Sequence, residues 1–335
     1  MSCKQKENNT KKLYVIGNGF DLAHSLPTAY SDFHDWLRGV HYQKKKKKDY
    51  SNFVAQMDEI FSYVNNRKIE WWCDFENALG DLQIGEYIKH VTNEFKIEDP
   101  EDEHYKNLGA LAEQVFAHID YIAKPWALDE VKKKFAEWVR SILLYDDLEP
   151  TFSDEDIDQN ALFLTFNYTC TLEKIYNINP KQVLHIHGCV SEHDSDIIVG
   201  HITKYDTSTY AQVEEELFGV DDDIFPSMVN VMNDLGKPIR KIIKQHKTWF
   251  ELLGKRNIEE IYLYGLSFGE IDDDYYKEIY KVLPNAKWCF AIHANGIHTQ
   301  QNVIMRINKF RNRIGIPKEN CRAFNQDYPK TNIIL

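Results

Sequence analysis

The segment KKLYVIGNGFDLAHSLPTAYSDF, residues 11–33, decides the fold prediction. An apolar run that is typical of a buried strand ends in Gly17-Asn18-Gly19, and an amphipathic stretch follows. In an α/β fold this arrangement brings backbone N–H groups close to the pyrophosphate of a dinucleotide. The full G-x-G-x-x-G pattern is broken by Leu22. Two interpretations therefore remain open, a phosphate-binding loop and a turn of the chain.

Short β-rich runs of similar length recur along the chain and end at glycine or polar residues. They are 12–17, 161–166, 182–187, 196–200, 260–265 and 287–293. Several are apolar at consecutive positions, which is typical of parallel strands covered by helices on both faces. Helical patterns lie between them, at about 171–177, 271–283 and 298–311. This alternation predicts an α/β fold with a Rossmann-like, mostly parallel sheet.

More than a hundred residues separate the first predicted strand from the second, and their pattern is helical. Within this interval Trp72, Phe75, Leu79 and Leu82 fall on one helical face. The interval therefore predicts a large helical insertion in the α/β domain. The predicted parts are an α/β nucleotide-binding domain at 1–40 and 156–335, a helical insertion at 41–155 and a smaller helical insertion at 207–255.

The composition indicates a soluble globular protein. Six cysteines without a CxxC pair suit reduced thiols, and no apolar segment resembles a secretion signal or a bilayer span. The formal charge of -12 argues against broad binding of nucleic acid. The run Lys44–Lys48 is predicted to be a solvated loop, with nucleic-acid contact as the minor alternative. We expect a cytoplasmic protein with neither a membrane nor a nucleic acid as its partner.

Polar side chains follow the predicted strand 161–166. Thr165 and Asn167 come at its carboxyl end, where open α/β sheets bind ligands. The Asn167 amide offers a donor and an acceptor, which suits a ribose hydroxyl or the orientation of a water molecule. Thr169 or Thr171 could cap the helix that follows, and a cap is the favoured interpretation for Thr169.

Two histidines alternate along the next predicted strand. The spacing of His185 and His187 places both on one side of that strand. At the strand terminus His187 suits a general base near a sugar hydroxyl, whereas His185 is predicted to pack. A metal site completed by His193 or His201 is the lesser alternative, because no carboxylate or cysteine arrangement supports it. No metal is expected.

A second glycine loop, GLSFG at 265–269, follows another predicted strand. Gly265 and Ser267 are predicted to give a second phosphate or ribose contact. The letters also match a G-x-S-x-G nucleophile elbow, so a Ser-His hydrolase is an alternative. The downstream His293 and His298 lack a distinctive sequence context for that alternative.

Four segments, taken in order, resemble the bacterial abortive-infection AbiH family. They are YVIGNGFDLAHSLPTAYSDF, FLTFNYTCTLEKIY, IHG and GLSFGEIDDDYY. That family is similar in turn to the sirtuin-like NAD-binding fold, which includes bacterial antiphage NAD hydrolases. The segments that match sirtuin motifs are GNG with Pro27, TFN at 165–167, HG at 187–188 and GLS at 265–267. Phe166 and Asp21 depart from the sirtuin pattern, and the four-cysteine zinc site of the protein deacylases has no counterpart.

The resemblance implies an antiphage defence protein whose sirtuin-like site binds NAD and hydrolyses it to nicotinamide and ADP-ribose. The implied catalytic residues are Asn167 and His187. The implied cofactor-binding residues are Gly17, Asn18, Gly19, Phe20, Asp21, Thr165, Gly265 and Ser267. NAD or a related nucleotide is the expected ligand, and a phage-derived trigger and a homo-oligomer formed through the helical insertion are the expected partners. The alternatives are a non-catalytic nucleotide-binding sensor and a nuclease or RNA-directed toxin.

Overall fold

The computed structural model describes residues 11–39, 50–62, 75–87, 90, 117, 128–142, 148–153, 156–190, 197–205, 224–293, 299–326 and 332–335. These residues include a seven-stranded sheet. Its strands are β1 (Lys12–Ile16), β2 (Leu162–Thr165), β3 (Val183–His185), β4 (Glu260–Tyr264), β5 (Lys287–Ile292), β6 (Cys321–Asn325) and β7 (Asn332–Ile333).

The strand order confirms the predicted fold class. The strands lie in the order β3-β2-β1-β4-β5-β6-β7. Strands β1 to β6 are parallel, and β7 is antiparallel to β6. The order 3-2-1-4-5-6 is that of the Rossmann-type doubly wound sheet. Because such a sheet is covered on both faces, its strands are apolar at consecutive positions, and in β1 the side chains from Leu13 to Ile16 are at most 1% exposed.

Helices lie between the strands along the chain. The described helices are α1 (Asn18–Ala23), α2 (Tyr30–Leu37), α3 (Ser51–Phe61), α4 (Phe75–Gly80), α5 (Leu128–Ile142), α6 (Thr171–Ile175), α7 (Ile224–Asp234), α8 (Ile239–Gln245), α9 (Lys247–Lys255), α10 (Asp273–Val282) and α11 (Gln300–Ile314). Local sequence sets the ends of α11, where the Thr299 hydroxyl accepts the Asn302 N–H and Gly315 stops the helix with a φ of 89°. None of the described helices has both the length and the apolar character that crossing a bilayer requires.

The described residues divide into two compact units. The first falls within 1–28, 139–197 and 238–335, and the second within 29–138 and 198–237. The first unit holds the whole sheet. In the second unit Phe33 packs against Phe135 and Trp138, with ring centroids 5.2 Å apart in both pairs. The domain boundaries drawn from the sequence remain a prediction.

Aromatic residues cover both faces of the sheet in the first unit. On one face Tyr14 stacks on Phe163 at 5.1 Å, in a cluster that includes residues of α1 and α6. Because successive side chains of a strand point to opposite faces, the alternate residues pack against the helices on the other face of the sheet. There the ring of Phe166 lies 5.7 Å from that of Tyr276 in α10, which in turn contacts Phe310 in α11 at 4.8 Å.

One predicted strand is wrong. The described part of the segment 196–200 forms no strand, and His201 makes only an isolated bridge to Gly236. Gly200 has a φ of 153°, and a Cβ there would lie 1.9 Å from the Leu235 carbonyl oxygen. The backbone therefore turns against its neighbour instead of joining the sheet. Strands β6 and β7 were not predicted, because the segment CRAFN offers only two adjacent apolar residues.

The predicted helical face in the insertion is only partly described. Phe75 and Leu79 lie on α4 and are buried. Leu82 is buried beyond the end of that helix, so the prediction of one continuous helical face was wrong at this position. Trp72 and the run Lys44–Lys48 lie outside the described residues.

The loops after β1 and β4 meet backbone to backbone where the strand order reverses. The Gly17 N–H donates to the Tyr264 carbonyl and the Gly19 N–H to the Gly265 carbonyl, both at 2.9 Å. A Cβ on Gly19 would lie 2.7 Å from the Gly265 Cα, and one on Gly265 would lie 2.1 Å from the Phe20 nitrogen. The glycines are therefore required by the close approach of these two loops.

This contact predicts an unequal cost of two glycine substitutions. We expect Gly265→Ala to lower the free energy of unfolding by about 3 kcal/mol or more, since it combines a left-handed φ of 65° with a backbone clash. Gly315→Ala is the matched control, because its φ is 89° but nothing lies within 4 Å of the added Cβ. It should cost about 1 kcal/mol. Denaturant unfolding of both variants measures the difference, and equal losses would contradict the role given to the close approach.

Candidate functional site

The candidate residues collect at the carboxyl edge of the parallel sheet. The register pairs Ile16 of β1 with Thr165 of β2 on one side and with Tyr264 of β4 on the other. The loops that follow these strands therefore emerge at the same level. In open α/β sheets, ligands bind at this edge, where the strand order changes direction.

The opening glycines have internal partners in this structure. Besides the two bonds to the β4 side, the Phe20 N–H donates to the Gly17 carbonyl at 2.9 Å. The exposed Asn18 side chain donates to the Thr28 carbonyl at 2.8 Å. The close approach of the loops accounts for both glycines without a phosphate, and their contact with a nucleotide remains a prediction.

The predicted nucleotide contacts differ in exposure. Phe20 is 1% exposed and packs against Phe152, Tyr176 and Tyr264. Ser267, by contrast, is exposed in the loop after β4. Of the residues predicted to contact the nucleotide, Phe20 belongs to the hydrophobic core, whereas Ser267 is open to solvent.

Hydrogen bonds tie Asn167 to residues of neighbouring strands and loops. Its backbone N–H donates to the Thr165 hydroxyl at 3.0 Å, and its side-chain amide donates to the Gly17 carbonyl at 3.1 Å. Its backbone carbonyl lies 3.2 Å from Nδ1 of His185. These contacts span β1, β2 and β3. Asn167 is therefore fixed in place, and it is 7% exposed.

Asp21 is a buried carboxyl group in contact with the loop after β2. It is 1% exposed, and the Thr169 hydroxyl donates to its Oδ2 at 2.5 Å. Thr171 donates to the Thr169 oxygen at 3.0 Å. Burial raises the pKa of Asp21 to about 6, although the hydrogen bonds from Thr169, Thr171 and Asn167 oppose the shift. A carboxyl group with such a pKa can hold or release a proton near neutral pH.

Thr169 is not the helix cap that the sequence favoured. Cys170 occupies the cap position of α6 and makes no side-chain cap hydrogen bond. The Thr169 hydroxyl is used instead by Asp21, which lies 148 positions away in the sequence. The two threonines, spaced two residues apart, were the sequence signal for this contact. The local pattern could not show that Asp21 is their partner.

His185 forms an ion pair at the edge strand. Its Nε2 lies 2.9 Å from Oε1 of Glu173 in α6. Burial lowers the pKa of His185, but the hydrogen bond and charge of Glu173 outweigh that effect and leave the pKa above its usual value. His185 is thus more than a packed side chain, since it joins Glu173 to the backbone of Asn167.

His187 lies on a different side from His185, which corrects the expectation from their spacing. Strand β3 ends at His185, the chain turns, and Gly188 takes a φ of 85°. The His187 ring then packs 5.4 Å from Phe166 and 5.5 Å from Tyr275. The alternation of a strand did not apply, because the strand had already ended.

The surroundings of His187 combine aromatic rings with the carboxylate of Asp272. Tyr168 lies 6.4 Å from its ring, so both neighbours of Asn167 in the chain, Phe166 and Tyr168, contact the imidazole. Oδ1 of Asp272 lies 3.9 Å from its Nε2. The histidine is 2% exposed. Asp272 and Tyr275 were not among the predicted site residues, and the sequence signal for them was only the acidic start of α10.

The alternative sites receive little support from the geometry. In GLSFG the left-handed non-glycine residue is Phe268, with a φ of 59°, and Ser267 does not have that conformation. A nucleophile elbow places the serine itself on the strained turn. Among the described residues no group of three or more His, Cys, Asp or Glu side chains is arranged to hold a metal ion. His193 and His298 lie outside those residues, and His201 bonds to the Met232 carbonyl at 2.8 Å.

Comparison with protein families matches residues 13–292 to the family described as Bacteriophage abortive infection AbiH. The chain belongs to this family. The matched range includes every candidate site residue of this AbiH protein and ends at the last residue of β5. Family membership indicates a role in abortive infection, which is a defence against bacteriophage. Comparison with curated proteins and with solved structures gives no match.

The buried carboxyl group of this AbiH protein predicts a pH-dependent stability difference. The folded-state pKa of Asp21 lies at about 6 against an ordinary value of 3.8, so the folded protein binds the proton more tightly than the unfolded chain. Stability is therefore lost as the pH rises through this window. Asp21→Asn cannot ionise, and its unfolding free energy relative to the natural protein should increase by about 2.5 kcal/mol between about pH 4 and pH 7.

Denaturant unfolding at both pH values measures this difference. Asp274→Asn is the control, because Asp274 is a partly exposed carboxylate in the first turn of α10. A relative stability of Asp21→Asn that stays constant across the window would contradict the assignment.

Proposed function

We propose that this AbiH protein acts in abortive infection by binding NAD at the carboxyl edge of the sheet and hydrolysing it to nicotinamide and ADP-ribose. The observation that carries the proposal is the placement of Asn167, which is hydrogen-bonded to Gly17 beside the point where the strand order reverses and is flanked by residues that contact His187. The sequence resemblance to sirtuin motifs supports the same chemistry.

In this proposal Asn167 and His187 are the catalytic residues. Water attacks the ribose carbon that bears nicotinamide, the bond to nicotinamide breaks, and nicotinamide leaves with the bonding electrons. Asn167 orients the water or a ribose hydroxyl, and His187 accepts the proton. The Asp272 carboxylate near Nε2 would stabilise the imidazolium that forms. Because the transition state has oxocarbenium character, correct placement of the water contributes more than a strong nucleophile.

The nucleotide would be held by the loops that meet at the same edge. The proposed contacts are Gly17, Asn18, Gly19, Phe20, Asp21, Thr165, Gly265 and Ser267. Asn18 and Ser267 are the exposed members of this group and are the side chains that a nucleotide can reach directly. Asp21 would act beneath them as a proton-holding group rather than as a surface ligand.

An NAD hydrolase acting in the cytoplasm has to be inactive until infection. His187 is 2% exposed, so a substrate reaches it only when neighbouring side chains move. A phage-derived trigger would supply that movement. Homo-oligomerisation through the helical insertion at 41–155 is the proposed second means of control.

A non-catalytic nucleotide-binding sensor is the second candidate. Two observations favour it: the N–H groups of Gly17 and Gly19 are bonded within the protein, and His187 is enclosed. Such a module would bind NAD or a related ligand without turnover. The hypothesis of a nuclease or RNA-directed toxin depended on Lys44–Lys48. These residues lie outside the described ones, and no described feature favours that hypothesis.

The proposal predicts that NAD turnover depends on the imidazole of His187. Purified protein incubated with NAD, alone and with phage-infected lysate, should release nicotinamide and ADP-ribose in equal amounts. His187→Gln should lower the rate about 100- to 10,000-fold because glutamine cannot accept the proton. Chromatography of the products measures both releases.

Two further variants make the assay specific. Asn167→Ala should also abolish release, whereas His246→Ala, at the partly exposed junction of α8 and α9, should leave it unchanged. Circular dichroism checks that each variant is folded. NAD binding without product under both conditions would favour the sensor, and the absence of both binding and product would exclude NAD as the ligand.

A further inference from the structure

Two cysteines follow the two proposed catalytic residues. Cys170 comes three positions after Asn167, and Cys189 comes two positions after His187. Their sulfur atoms lie 3.8 Å and 3.9 Å from the same acceptor, the carbonyl oxygen of Val190. The Cys189 side chain is also hydrogen-bonded to Cys170. The fold thus brings together two thiols that are distant in the sequence.

The backbone keeps these thiols together. The Val190 N–H donates to the Tyr168 carbonyl at 2.8 Å. This bond joins the loop after β2, which carries Cys170, to the loop after β3, which carries Cys189. The pairing of the thiols therefore does not depend on flexible side chains alone.

The pair differs chemically from the other described cysteines. The hydrogen bond from Cys189 lowers the pKa of the Cys170 thiol, with His185 and Lys174 acting in the same direction against burial and Glu173. Burial raises the pKa of Cys289 and of Cys321 to about 11. Cys170 and Cys189 are both partly exposed. A partly exposed thiol with a lowered pKa beside a second thiol is the arrangement found in redox-sensing sites.

We propose that Cys170 and Cys189 form a redox-active dithiol that hydrogen peroxide converts into a disulfide joining the loops after β2 and β3. The Cys170 thiolate attacks one peroxide oxygen, the O–O bond breaks, and hydroxide leaves, which oxidises the sulfur to a sulfenic acid. The Cys189 sulfur then attacks that sulfur, and water leaves with the thiol proton. In total, two thiols and one peroxide give one disulfide and two water molecules.

The disulfide would restrict the proposed active site. Asn167 and His187 lie on the two loops that it joins, and a substrate must part the residues around His187 to reach the imidazole. Oxidation should therefore lower NAD turnover, and a dithiol reductant should restore it. This consequence, unlike the dithiol itself, rests on the proposed function.

The disulfide can be detected without any enzyme assay. Reduced full-length protein is treated with hydrogen peroxide, the remaining thiols are alkylated, and the protein is digested with trypsin. Cys170 lies in the tryptic peptide 141–174 and Cys189 in the peptide 182–204. Mass spectrometry should find these two peptides linked after peroxide and separate after reduction. If both cysteines remain alkylated after peroxide, the proposal is wrong.

Single substitutions assign the order of the two steps. In Cys189→Ser a dimedone adduct should accumulate on Cys170, whereas in Cys170→Ser Cys189 should give little adduct. Cys321 is the matched internal control, because it is also partly exposed but its thiol pKa is raised. Oxidation of Cys170 no faster than that of Cys321 would overturn the proposal.

The two proposals fail in different ways. A linked peptide pair in a protein that never cleaves NAD would support the dithiol and count against the hydrolase. NAD cleavage that is insensitive to peroxide, with no linked pair, would support the hydrolase and count against the dithiol. If both hold, peroxide should lower NAD cleavage reversibly in the natural protein, whereas Cys170→Ser, which cannot form the disulfide, should cleave NAD at an undiminished rate after peroxide.

Discussion

The backbone contact between the loops after β1 and β4 is the constraint on which the candidate site depends. It requires glycine at positions 17, 19 and 265, because a Cβ at any of them would lie less than 3 Å from an atom of the opposite loop. It also fixes the Gly17 carbonyl, which accepts the side-chain amide of Asn167. Asn167 in turn is bonded to His185 of the edge strand. One close approach at the centre of the sheet therefore sets positions across three neighbouring strands.

The burial of Asp21 has an energetic cost that its partners only partly offset. Two threonines and Asn167 stabilise the carboxylate, yet burial still raises its pKa to about 6. A titratable group with a shifted pKa beside a candidate catalytic residue is more typical of a functional site. This argument favours chemistry over pure structure for the GNGFD segment.

The sequence predicted the features that depend on local pattern. Consecutive apolar residues predicted the parallel strands β1 to β5, and glycine after β1 and β4 predicted the sites where the loops turn. It could not decide between phosphate binding and backbone contact for Gly17, because Gly265, which makes that contact, is about 250 positions away. The partner of Asp21 and the direction of His187 were missed for the same reason. Both depend on where β2 and β3 end relative to the other strands, and a local sequence pattern does not contain that information.

The position of the thiol pair bears on how the proposed site would be controlled. The loops after β2 and β3 are already joined by the Val190 bond to Tyr168, and Tyr168 contacts the His187 ring. In the proposed dithiol, a change at either cysteine would reach the residues beside the imidazole through these two contacts. His187 is enclosed by Phe166 and Tyr168 of the loop after β2 and by Tyr275 of α10, so access to it depends on how freely these segments separate. Loop separation is thus the step at which a trigger, an oligomer interface or a disulfide would each act.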